Sequence, residues 1–67
     1  MRWFRHDRQG WTVAAHEEIR GGWYWHVRHP QYGAKWGRAV SKKDAYLRTR
    51  WAIGDLRNGF RGWRGAA

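Results

Sequence analysis

Between Val40 and Ser41 the hydrophobic pattern changes period, and that change limits the folds open to this chain. Before it, Trp23, Trp25 and Val27 alternate with Tyr24, His26 and Arg28, the two-residue period of a strand with one face on a core. After it, Ala45, Tyr46, Thr49, Ala52, Ile53, Leu56 and Phe60 fall on one side of a helical wheel. Ser41-Lys42-Lys43-Asp44 has the spacing of a capping box, with aspartate where glutamate or glutamine is usual. Asn58-Gly59 supplies a stop. Leu47, Trp51 and Gly54 lie opposite the core stripe, and Lys43, Arg48, Arg50 and Arg57 lie off it. Gly54 weakens the helix by about 0.8–1.0 kcal/mol relative to alanine. It either admits another backbone or has no packing role.

Upstream, Trp11, Val13 and Ala15 alternate with Thr12, Ala14 and His16 as a second half-buried strand. Residues 17–22 carry two acids and a Gly-Gly pair, a hairpin connection. Pro30 ends the strand before it, so residues 29–34 are expected as a loop and 35–40 as the returning strand. Trp36, Arg38 and Val40 share one face of that strand and Gly37 and Ala39 the other; the pattern leaves open which face is buried. Residues 7–10 predict a turn closed by Gly10. The fold class is α+β: a small antiparallel sheet of three strands, or four if residues 3–6 join, packed against one C-terminal helix (β-β-β-α). One domain spans 1–60, and the composition predicts a flexible basic tail over 61–67.

A chain of 67 residues gains rarely more than ~3–5 kcal/mol from its core alone. Aliphatic side chains are few, so the seven tryptophans must provide much of the buried area. Each indole covers roughly 150–250 Å². So short a chain cannot wrap them all, which leaves rings on the surface for a partner or a second copy. The absence of cysteine excludes disulfides, thiolate zinc sites and thiol chemistry. Fourteen Lys and Arg against five Asp and Glu give a net charge of +9, and eleven of those cations are arginines. Guanidinium binds phosphate or carboxylate bidentately and stacks on rings, so polyanions are the expected partners.

No cofactor is expected. His26 and His29 are an odd number of positions apart and face opposite ways on a strand, and no carboxylate completes a metal set with them, His6 or His16. The five acids are scattered, and neither a phosphate-binding glycine loop nor a nucleophile elbow is present. The chain is therefore not expected to be an enzyme, and no catalytic residue is assigned. Residues 1–19 hold no apolar leader, and no run approaches the ~20 apolar residues of a membrane span, so cytoplasmic residence is the expectation.

Residues 22–28, the Pro-Gly loop, Gly37-Arg38-Ala39-Val40 and Ser41-Lys42-Lys43-Asp44-Ala45 before the helix together form a recognisable plan. It resembles the three-stranded-sheet-plus-helix domains that open many tyrosine recombinases and bind arm-type DNA sites. The resemblance covers residues 11–60. It implies that the outer sheet face, with Tyr24, His26 and Arg28, enters the DNA major groove, and that the chain is an accessory factor of a phage or other mobile element. Two departures stand against it: no catalytic domain is expected within these 67 residues, and tryptophan is unusually frequent.

The expected function is that of a small basic nucleic-acid-binding module, with DNA as the first partner. Arg5, Arg8, Arg20, Arg28, Arg38, Lys42 and Lys43 are the candidate phosphate contacts, and Tyr24 and His26 the base or groove contacts. Neutralising about six phosphates gives a log–log salt slope near −5. The alternative is an effector that docks on an acidic protein surface through Leu47 and Trp51, which would serve equally as a dimer contact. A cationic membrane-active peptide is a third reading, opposed by the turn signals and the capped helix.

Overall fold

The computed structural model describes residues 2–59. Strands β1 (Trp3–Arg8), β2 (Trp11–Glu17), β3 (Trp23–His29) and β4 (Gly33–Ala39) precede helix α1 (Lys42–Arg57). They form one antiparallel sheet in the order β1-β2-β3-β4, and α1 packs across one face of it, over β4, β3 and part of β2. The fold is thus the expected α+β class, in its four-stranded form. Phe60 and the basic tail over 61–67 lie outside the described residues.

The strand left open in the sequence is present, and it takes Asp7 and Arg8 from the expected turn. The reversal needs only Gln9-Gly10, whose φ values of 53° and 87° are those of a two-residue hairpin matched to strand twist. The next expected loop also shrinks, because His29 pairs with Gly33 and only residues 30–32 lie between the strands. The connection from β2 to β3 closes as expected, with Gly21 and Gly22 both at positive φ.

Period two decides what each strand buries. Val13 and Ala15 of β2, Trp23, Trp25 and Val27 of β3, and Ala39 of β4 meet Ala45, Ala52 and Leu56 of α1 in one core. Thr49, also buried, satisfies its hydroxyl by donating to the Tyr46 carbonyl at 2.7 Å. Gly37 settles the facing of β4. The Trp25 indole lies against it so closely that a Cβ there would sit 2.9 Å from Trp25 Cζ2. Trp25 Nε1 donates to the Arg38 carbonyl at 3.3 Å. With Gly37 and Ala39 turned inward, Trp36 and Arg38 must point out.

The capping box forms around Ser41. Asp44 N donates to Ser41 Oγ at 3.0 Å, and Asp44 Oδ2 accepts from the backbone N of Val40 at 3.0 Å. Arg48 Nε donates to the same carboxylate oxygen at 3.0 Å. The Val40 hydrogen bond first, and Arg48 after it, hold the Asp44 carboxyl below its ordinary value. Asn58 caps the far end, with Gly59 at φ 66°. Lys35 Nζ donates to Asp55 Oδ2 at 2.7 Å, tying α1 to β4. Of the expected helix stripe, Ala45, Thr49, Ala52 and Leu56 are buried, Ile53 is half-buried, and Tyr46 is displaced to an exposed flank. There Tyr46 meets Phe4 at 6.5 Å between ring centroids and Arg50 at 5.8 Å. Among the described residues, no atom outside the helix lies within 4 Å of a Cβ built on Gly54, so none of their backbone approaches there.

Candidate functional site

The helix occupies one face of the sheet, which leaves the other face uncovered by any described element. Strand register turns that face into three cross-strand rows. The first runs Trp3, His16, Tyr24, Arg38; the second Arg5, Ala14, His26, Trp36; the third Asp7, Thr12, Arg28, Ala34. Each row carries an arginine, and the first two carry rings. Trp3 and Trp36, on the two edge strands, are 67% and 64% exposed. Between them the His16 and Tyr24 rings lie 5.4 Å apart and the Tyr24 and His26 rings 6.4 Å apart. Ala14, Thr12 and Ala34 are small, so the rings stand around a shallow floor.

The charges of the face are partly compensated. Arg5 Nε donates to Asp7 Oδ2 at 3.1 Å. Glu18, just beyond β2, lies 3.5 Å from the Arg38 guanidinium and 3.7 Å from His16 Nε2. Arg28 has no carboxylate partner among the described residues. The pKa of His26 is lowered, by partial burial first and then by Arg28, Arg5 and His16, so its ring is neutral at pH 7.

Of the residues expected to bind, Arg5, Tyr24, His26, Arg28 and Arg38 come together here. Arg8, Lys42 and Lys43 do not. Arg8 alternates to the helix side of β1, and the two lysines sit in the first turn of α1. They border open clefts between β1 and α1: His6 and Tyr46 adjoin both, Arg8 and Arg50 one, Lys42 and Lys43 the other. Arg20 is exposed in the loop between β2 and β3. Leu47 and Trp51 are exposed on the outer side of α1, as expected, Trp51 at 62%. Trp3, His16 and Trp36 belong to the sheet face but were not singled out from the sequence. Trp36 shares a face with Arg38 in any strand reading; the missing signal was that Trp25 needs a glycine opposite it.

No three of His, Cys, Asp and Glu cluster in a metal-binding arrangement among the described residues. His29 is committed to structure. Its Nδ1 accepts from the Gln31 amide at 3.1 Å, so the hydrogen sits on Nε2, which is 3.2 Å from the Gln9 carbonyl. Its ring packs against Trp11 and Tyr32, themselves stacked at 5.6 Å and 5°, closing that end of the sheet. No described helix is long and apolar enough to cross a membrane. Comparisons with protein-family models, with curated proteins and with solved structures find no match to this chain.

Proposed function

We propose that this chain is a small nucleic-acid-binding module that uses the outer face of its sheet, with α1 and the buried face providing the scaffold. The observation that carries the reading is the joint display of Trp3, Tyr24, His26 and Trp36 with Arg5, Arg28 and Arg38 on one surface that no described element covers. Arginine forks suit phosphate oxygens, and exposed rings suit bases. The likeness of the residue 37–45 step to recombinase arm-binding domains favours DNA as the nucleic acid. It also suggests a phage or mobile-element setting.

The salt dependence of binding tests the reading and its extent. Three arginines alone give a log–log slope of about −2 to −3. A slope near −5 requires about three further cations to contact the ligand, drawn from Arg20 in the β2–β3 loop and Arg8, Lys42 and Lys43 on the other side of the sheet. Binding that ignores salt would remove nucleic acid as the partner.

A second reading rests on Trp51. An indole 62% exposed, one turn from an exposed Leu47, is an apolar spot on a cationic helix and fits an acidic protein surface. Trp51→Ala separates the two. It abolishes protein binding under the second reading and spares nucleic-acid binding under the first.

A further inference from the structure

We infer that the outer sheet face takes single-stranded nucleic acid, with bases stacked on its rings, in preference to duplex. This rests on the nucleic-acid reading above and specifies its ligand. Two observations carry it.

The first is width. Four strands at about 4.8 Å spacing put the axes of β1 and β4 roughly 14 Å apart before side chains are added. The major groove is about 12 Å wide and admits a helix or a two-stranded ribbon. Trp3 and Trp36 stand on those two outer strands, so they widen the face at both margins.

The second is chemistry. Duplex presents base edges in its grooves, read by paired donors and acceptors. The most exposed rings on this face are indoles, which offer a π surface and a single donor. A π surface is matched by the face of an unpaired base, which duplex hides inside its stack. Ala14, Thr12 and Ala34 leave space beside the rings, and the arginine in each row lies within one strand or one row of a ring. That arrangement of stacking groups with adjacent cations follows a single strand without reading its sequence. A neutral His26 stacks in the same way.

The test is quenching of intrinsic tryptophan fluorescence together with anisotropy of labelled oligonucleotides. The probes are oligothymidine, oligouridine and a mixed-sequence duplex of equal length, used with the full chain and with Trp36→Ala, Trp3→Ala and Arg28→Ala. At least one single strand is expected to bind ten-fold or more tighter than duplex, on the order of the discrimination that stacking supplies. Trp36→Ala should weaken single-strand binding roughly 5- to 150-fold and leave duplex binding within about two-fold. Arg28→Ala should weaken both. Duplex bound as tightly as single strand, with Trp36→Ala and Trp3→Ala neutral and Arg28→Ala still harmful, overturns the inference and keeps the nucleic-acid reading. No salt-sensitive binding to any probe overturns both. Circular dichroism of each variant confirms that the sheet is intact, since both tryptophans are exposed on edge strands.

Discussion

Gly37 shows how one residue sets what the whole sheet presents. Its missing side chain lets the Trp25 indole approach β4 closely, and that contact turns Trp36 and Arg38 to the outer face. Gly37→Ala would put a methyl 2.9 Å from Trp25 Cζ2, so the indole must move or β4 must bow. Overpacking of this kind costs about 1–3 kcal/mol, and chemical denaturation should show the loss as a lower midpoint at unchanged slope. At Ser41 the Oγ accepts from the Asp44 amide and forms one half of the capping box, the other half being the Asp44 carboxylate on the Val40 amide. Ser41→Ala should cost about 1 kcal/mol, read as a melting temperature lower by roughly 4–8 °C.

Two titrating groups give these local contacts a pH dependence of known sign. Asp44 has a lowered folded-state pKa, so its contribution is complete above the ordinary carboxylate value and is lost as pH falls through the folded one. His26 is also lowered. The unfolded chain therefore takes up that proton first, and the fold loses stability as pH drops below about 6.5. Polyanion binding responds in the opposite direction. A protonated His26 adds a cation beside Arg28, so affinity for a nucleic acid should rise between pH 7 and pH 5.5 in the range where the protein remains folded. His26→Phe should retain stacking and reduce that rise in a binding titration, His16 on the same face remaining.

At the scale of elements, the helix and the two central strands were legible in the sequence, because period and capping agree there. The Ser41–Asp44 spacing and the Trp23-Trp25-Val27 alternation each describe local geometry that packing did not overrule. The edges were less legible. β1 buries only Phe4 in part, so its sequence lacks the apolar alternation that marks a core strand. β4 depends on a pair of small residues whose meaning lies in the Trp25 ring opposite them. The same cause hid half of the candidate site. Tyr24, His26 and Arg28 are visible on the clearest strand, whereas Trp3 and Trp36 sit on the two least obvious ones. Arg8, Lys42 and Lys43 were grouped with them by charge, and charge says nothing about facing. Trp51 is exposed on the outer side of α1, as the helical wheel requires, and Trp51→Ala should lower stability by less than about 0.5 kcal/mol, as surface changes usually do.

At the scale of the molecule, a core built from few aliphatic residues leaves little stability in reserve. Leu56→Ala, at a buried site beneath Gly33, should cost about 2–5 kcal/mol and unfold much of the population, visible as loss of near-ultraviolet dichroism. Against that economy stand Trp3 and Trp36, large rings on the face opposite the helix, where they contribute little to the core. Their placement among Arg5, Arg28 and Arg38 is the physical ground for assigning the sheet face to a polyanion with exposed bases.

The most direct measurement is an NMR titration of the labelled protein with a short single-stranded oligonucleotide, following backbone amides and indole N–H signals. Saturable shifts are expected at Trp3, Tyr24, His26, Arg28, Trp36 and Arg38, with the Leu47 amide and the Trp51 indole unmoved. Shifts confined to α1, or none beyond uniform salt effects, would contradict the assignment of the sheet face.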